Sequence, residues 1–171
     1  MTPRAHSPRV SVLLPVRNGL PHLRASLQSV VTQSFTGLEV ILIDDGSVDG
    51  SGDAARDLGD ARVRVLPGGG LGIAHALNIG LAAAKGEFIA RQDADDLSAP
   101  ERIARLVRYL DDHPEVAVVA SQVDFMDDAG RLIHTPWTRA VAAQWDRART
   151  PEEIGALLPL TCCLVHGSVL A

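Results

Sequence analysis

Four times between Val10 and His113, a short run of β-branched and aliphatic residues is followed by a segment whose apolar residues recur every three or four positions. This alternation constrains the fold more than any other feature of the chain. Val10–Leu14 reads as a buried strand stopped by Pro15, and Arg17-Asn18-Gly19 as the turn after it. Leu20, Leu23, Leu27, Val30 and Val31 then mark one face of a helix that ends before Gly37. Glu39–Ile43 is the second strand, followed by the polar loop Asp44–Ser51 and a short helix carrying Ala54, Ala55 and Leu58. Val63–Leu66 is the third strand. Gly68-Gly69-Gly70 precedes a helix with Ile73, Leu77 and Leu81 on one face, closed by Lys85-Gly86. The fourth unit is the strand Glu87–Arg91, the acidic loop Asp93–Asp96, and a helix from Pro100 to His113 with Ile103, Leu106, Val107 and Leu110 turned inward. Val116–Ala120 reads as another buried strand. The pattern then weakens into Val123–Phe125, a turn at Asp127–Gly130 and a return through Leu132-Ile133.

Four β-then-α units in a row imply a mostly parallel sheet with helices on both faces, a three-layer α/β/α arrangement. In such sheets ligands sit beyond the carboxyl ends of the strands. Three polar segments follow strand ends: Arg17-Asn18, Asp44-Asp45, and Asp93 to Asp96. Chemistry is expected there.

Composition removes other classes. A chain of 171 residues, 46% hydrophobic, can bury roughly 70% of its unfolded surface in one domain without staples. Its two cysteines, Cys162 and Cys163, are adjacent and cannot bridge distant segments, which argues for a reducing compartment. The formal net charge is −5 and the basic residues are scattered, so nucleic-acid binding by phosphate neutralisation is not expected. Neither a signal peptide nor a membrane span is legible, and a cytoplasmic location, with docking at the cytoplasmic face of a membrane open, is the expectation.

Three carboxylates within the four residues Asp93-Ala94-Asp95-Asp96 repel one another unless a cation compensates. Oxygen donors at this density suit Mg²⁺ or Mn²⁺, which usually keep positions for water and substrate phosphates. The alternative is that Asp95 or Asp96 caps the helix beginning near Ser98-Ala99-Pro100. In the loop after the second strand, Asp45, Ser47, Asp49 and Gly50 fall at calcium-loop positions 1, 3, 5 and 6, but position 12 is Arg56 where a bidentate Glu is required. A carboxylate there can instead accept from a base or ribose, or the loop is turn formers with Ser51 or Asp53 as a helix cap. The glycines at 68, 69, 70 and 72 miss a dinucleotide fingerprint, its third glycine falling on His75 or Ile73. No Walker lysine motif and no Gly-x-Ser-x-Gly elbow is present. A lone His166 near an apolar run reads as a core or rim residue.

Together, Val10 to Asn18, Ile43-Asp44-Asp45-Gly46-Ser47 with Asp49 and Ser51, Ala76 to Gly80, and Lys85 to Asp96 with Pro100-Glu101-Arg102 resemble the ordered motifs of family 2 glycosyltransferases over residues 9–125. His166-Gly167-Ser168-Val169 is similar to a segment on the acceptor side of that family's site. The resemblance implies a Rossmann-like GT-A fold with a mostly parallel mixed sheet. It also implies transfer, inverting, of a sugar from a UDP-, GDP- or TDP-sugar to a glycan or lipid-linked acceptor in cell-surface polysaccharide assembly. Pro15, Val16 and Arg17 with Asp45 would hold the base, and Asn18, Asp44 and Asn78 belong to the nucleotide-binding motifs. Asp95 would ligate Mg²⁺ or Mn²⁺, with Asp93 near ribose or metal. Two departures stand out. Leu77 occupies a place where many relatives carry Arg, leaving Arg91 or the metal to face the diphosphate. The acidic pair that supplies the general base follows the His166 segment in the family, so the base is expected beyond Ala171, in an acceptor half that 1–171 does not complete. A catalytically inert nucleotide-binding fragment, or a nucleotidyltransferase on a similar sheet, remains the alternative.

Overall fold

The computed structural model describes residues 7–145, 150, 152–154 and 168–171. The Cys162-Cys163 pair, His166 and Gly167 lie outside the described residues. In chain order the elements are β1 (Val10–Val16), α1 (Leu23–Val31), β2 (Leu38–Asp44), α2 (Ser51–Arg56), β3 (Val63–Pro67), α3 (Ile73–Ala83), β4 (Phe88–Arg91), α4 (Arg102–Asp112), β5 (Val119–Ala120), α5 (Pro136–Trp145) and β6 (Val169–Leu170). They build one six-stranded sheet in the order β3-β2-β1-β4-β6-β5. The first four strands are parallel, and β6 is antiparallel to both β4 and β5.

Side chains alternate across the sheet with period two, and the two faces bury different partners. Val10, Val12, Leu14 and Val16 of β1, with Leu38, Val40 and Leu42 of β2, pack against Leu23, Leu27 and Val30 of α1 and Ile103, Leu106, Val107 and Leu110 of α4. On the opposite face Leu13, Ile41 and Ile43 pack against α3 through Ala76. Helices therefore cover both faces, as the alternation predicts.

Several boundaries differ from the sequence expectation. β1 is not stopped by Pro15: it continues to Val16, with Pro15 opposite Ile43. Odd residues of β1 bond towards β4, as Gln92 N–H to the Leu13 carbonyl shows, whereas even residues bond towards β2. The β1–β4 pairing ends at Leu13–Arg91, so the N–H that proline lacks faces a side where no strand pairs. The helix expected from Leu20 starts at Leu23, because the backbone from Asn18 to Leu20 is engaged by a neighbouring loop. In α3 the face buried against the sheet is that of Ala76 and Gly80, while Ile73 and Leu81 are about half exposed at 54% and 49%. A Cβ on Gly80 would lie 2.9 Å from Ile43 Cδ1, so small residues set how closely this helix approaches. The stretch 116–120 forms a strand only at Val119–Ala120, half-buried at the sheet margin, and Val118 is exposed. α5 has no counterpart in the sequence reading.

Candidate active site

The chain leaves β1 for β2 and β3 on one side, then crosses by α3 to β4 on the other, so the strand order switches direction between β1 and β4. That is where an open α/β sheet forms its ligand crevice. The loops after β1, β2, β3 and β4 all emerge at this edge.

Two of them are bonded together. The backbone N–H groups of Asn18, Gly19 and Leu20 donate to Ser47 Oγ, Ser51 Oγ and Asp49 Oδ2 at 2.9, 2.9 and 3.0 Å. In return Asn18 Oδ1 accepts from Val48 N–H at 2.9 Å. Asp49 also accepts from the Ser51 hydroxyl and amide, and these bonds hold its carboxyl below the ordinary carboxylate value. Ser47, Asp49 and Ser51 thus fix the chain after β1, a role the sequence reading missed. The alternative reading of Ser51 or Asp53 as a helix cap fails: α2 is entered through Gly50 at φ 88° with no side-chain cap.

Asp44 and Asp45 face different surroundings. Asp44, half-buried, accepts from Ser47 N–H and lines a polar pocket of about 310 Å³ with Gly52 and Arg56. Asp45 is buried, 4% exposed, and its two oxygens accept from Leu71 N–H (3.0 Å) and Gly72 N–H (2.9 Å) at the start of α3, where the helix dipole favours an anion. This explains the glycines that fit no dinucleotide fingerprint. A Cβ on Gly68 would stand 2.9 Å from Asp45 Cα, and Gly69, Gly70 and Gly72 adopt positive φ, so the loop folds around Asp45 in a path that side chains would block. Their signal was legible only as a glycine cluster after a strand.

The acidic turn follows β4 and abuts the first loop: a Cβ on Gly19 would lie 3.5 Å from Ala94 Cβ. Arg91 donates to Asp93 Oδ1 from Nε (3.1 Å) and Nη2 (2.9 Å), leaving Oδ2 outside these bonds. Asp95 is exposed and accepts no side-chain hydrogen bond among the described residues. Asp96 is exposed at its outer side, yet partial withdrawal of its carboxyl from water, reinforced by Asp93 and Asp95, raises its pKa against the opposing pull of Arg102 and Arg91. Neither Asp95 nor Asp96 caps the next helix, because α4 is entered at Glu101 without a side-chain cap. No three carboxylate, histidine or cysteine groups converge into a closed metal cage among the described residues. An open site of one or two carboxylates completed by phosphate oxygens and water is the form Mg²⁺ and Mn²⁺ commonly take, and this donor set fits it.

Of the expected nucleotide residues, Pro15 and Val16 are buried at the end of β1, and Arg17 is exposed just beyond. The Val16 carbonyl accepts from Asp45 N–H at 2.8 Å, joining the two strand ends. Asn78 is exposed in mid-α3, and among the described residues no hydrogen bond ties its side chain to the other expected nucleotide residues. No helix of the described residues is long and apolar enough to cross a membrane.

Comparison with known proteins agrees with this arrangement. The family model described as glycosyl transferase family 2 matches residues 11–168. An uncharacterized glycosyltransferase of Haemophilus influenzae is 31% identical over 122 residues, covering 70% of this chain and 38% of that protein, so the chain spans less than half of this relative. Among solved structures, a mannosyltransferase from Pyrobaculum calidifontis, in complex with GDP-Man and Mn²⁺, matches with TM-score 0.63 and 31% identity over 71% of this chain and 37% of that one. Glucosyl-3-phosphoglycerate synthase from Mycobacterium tuberculosis shares the fold over 98% of this chain and 57% of its own length, with TM-score 0.65 and 23% identity. The mixed sheet with its switch point is therefore a GT-A fold. The chain belongs to glycosyl transferase family 2.

Proposed function

We propose that this chain binds a nucleoside diphosphate sugar, with a divalent cation, and serves transfer of the sugar to a hydroxyl of a glycan or lipid-linked acceptor. The observation that carries the reading is the acidic turn after β4, set at the sheet's switch point against the bonded loops of β1 and β2. The mannosyltransferase neighbour, whose complex holds GDP-Man and Mn²⁺, supports it.

Pro15, Val16 and Arg17 with Asp45 form the base side of the site. Asp45 is held immobile by two amides, and each of its oxygens keeps a further lone pair for a base N–H. Asp93 Oδ2 and Asp95 are the oxygens that would hold Mg²⁺ or Mn²⁺. A cation bound there offsets the charge that builds on the departing nucleoside diphosphate. Arg91, which grips Asp93 through Oδ1, keeps that carboxylate oriented and adds positive charge beside the diphosphate. Asn78 belongs to the same motif set, with its exposed amide open to a ligand. Asp127 is not the general base: Arg131 and the amides of Ala129 and Arg131 occupy it in a surface turn. Inverting stereochemistry, a part in cell-surface polysaccharide assembly, and a cytoplasmic location belong to the same proposal and rest on the family.

Calorimetry with UDP, GDP and TDP, each with and without Mn²⁺, tests the reading. One of them should bind in a Mn²⁺-dependent way, and Asp95→Ala should lose about tenfold or more of that affinity with an unchanged fold by circular dichroism. Mn²⁺-independent affinity in the unsubstituted protein, or an undiminished affinity in Asp95→Ala, refutes the metal assignment. Binding without sugar transfer would identify a nucleotide-binding module, and release of pyrophosphate would identify a nucleotidyltransferase.

A further inference from the structure

Arg102, on the first turn of α4, is 8% exposed, yet among the described residues its guanidinium makes no ion pair within 4 Å, the Asp96 charge acting on it only from further off, and its Nε has no partner. Burying a cation is costly unless hydrogen bonds and opposite charge compensate it, and here the compensation is mostly neutral oxygens. Its bonds all go to groups behind the acidic turn. Nη1 donates to Gln92 Oε1 (3.2 Å) and Ser98 Oγ (2.9 Å), and Nη2 donates to the Arg91 carbonyl (3.0 Å). The Ser98 hydroxyl also donates to Gln92 Oε1, at 2.6 Å. With two donors on its oxygen, the Gln92 amide has one orientation, and Nε2 is aimed at the turn. From there it donates to the carbonyls of Asp93 (3.3 Å) and Asp96 (2.9 Å), the first and last residues of the acidic stretch. The Ser26 hydroxyl of α1 adds a bond to the Asp93 carbonyl at 3.0 Å. Gln92 is itself 1% exposed.

We propose that Gln92 and Arg102 are positioning residues for the reaction: Arg102 orients the Gln92 amide, and Gln92 clamps both ends of the Asp93–Asp96 backbone so that the three carboxylates keep one arrangement towards a cation and a diphosphate. The inference rests on the metal-dependent reading above. A clamp of this kind acts on metal and diphosphate binding, whereas the base side of the site, on β1 and β2, is held by other bonds. Loss of the clamp should therefore separate the two.

Gln92→Met keeps length and removes both the donors and the acceptor. Its affinity for Mn²⁺ with UDP or GDP should fall about tenfold or more, as outer-sphere substitutions typically do. Its affinity for the parent nucleoside, uridine or guanosine, should stay within about twofold, since that ligand carries no phosphate. Electron paramagnetic resonance of Mn²⁺ and calorimetry read the two quantities. Ser98→Ala, a milder change to the same hub, should show the same separation at smaller size and keeps the test decisive if Gln92→Met does not fold. Arg102→Lys should restore part of the affinity lost in Arg102→Met. Equal losses for nucleoside and nucleotide mark a merely structural role and overturn the proposal, as does unchanged Mn²⁺–nucleotide affinity in both hub variants. If the unsubstituted protein shows no Mn²⁺-dependent binding, the functional reading fails first and the inference falls with it.

Discussion

At the scale of single residues, the acidic turn concentrates three carboxylates, and Asp96 bears the consequence. Partial desolvation of this exposed residue's carboxyl first, then the charges of Asp93 and Asp95, raise its pKa. A raised carboxylate pKa means that the folded state binds the proton more tightly, so the charged form costs stability once pH exceeds the ordinary value of 3.8. Asp96→Asn should therefore stabilise the metal-free protein only slightly at pH 7, because the residue is exposed and water screens its charge. Below pH 3.8 the gain should vanish, because Asp96 is then protonated in both states. Urea melts in EDTA at pH 7 and pH 3.5 check this, and an equal gain at both values would contradict it. The aspartates after β2 carry a different lesson. Asp44 and Asp45 are adjacent in sequence, yet one is paired with its own turn and the other with the start of α3.

At the scale of elements, α3 shows how a helix is docked by its polar end. Glu39 of β2 is buried on the face that α3 covers, at 7% exposure. It accepts from the Ser11 hydroxyl (2.7 Å), the Lys85 amide just past the helix (2.8 Å) and Arg64 (3.1 Å). Arg64 also donates to the Ala83 carbonyl at the helix end, at 3.2 Å. Burial opposes the Glu39 charge, but the bonds from Ser11, Lys85 and Arg64 outweigh it and lower the pKa. A lowered pKa contributes stability that is present above the ordinary glutamate value of 4.5 and is lost as pH falls through the folded value. Glu39→Gln should cost about 1–2 kcal/mol at pH 7. The difference from the unsubstituted protein should narrow in acid below 4.5. Equilibrium unfolding across this range checks the sign, and a cost independent of pH would remove the charge from the account. The apolar spacing of Ile73, Leu77 and Leu81 gave the helix but not its orientation. Ala76 and Gly80 allow a closer approach than those larger residues, and the Glu39 contact fixes the end of the helix that follows.

For the whole molecule, the four loops form one site only if the sheet holds their strands in order. A ligand that spans the β1, β2 and β4 loops should tie the sheet's middle together. Mn²⁺ with the binding nucleoside diphosphate at a hundred times its dissociation constant should stabilise the fold by about 2.7 kcal/mol. For a domain of this size that is a rise of about 5–10 °C in Tm. Differential scanning fluorimetry reads the shift. In the Asp95→Ala protein, with affinity about tenfold lower, the shift at the same concentrations should fall to about half or less, and an undiminished shift would place the cation elsewhere.

Local order along the chain was legible from residue types alone. Alternating periodicities of two and about 3.6 specify four β-then-α units, right-handed crossovers then specify parallel strands, and the motif order points to the family. These signals are local, each written within about ten residues. What needed the tertiary structure was everything set by contacts distant in sequence. Pro15 sits inside a strand because its neighbour on that side has already ended. Gly68 matters because Asp45 stands within 3 Å of where its side chain would be, and Gly69, Gly70 and Gly72 because the loop around Asp45 needs positive φ there. Gln92 and Arg102, ten residues apart and legible in the sequence only as members of two motifs, meet only when the turn between them folds back over α1 and α4. Periodicity cannot encode such meetings, because each bond depends on a partner whose place is set by the packing of the whole sheet.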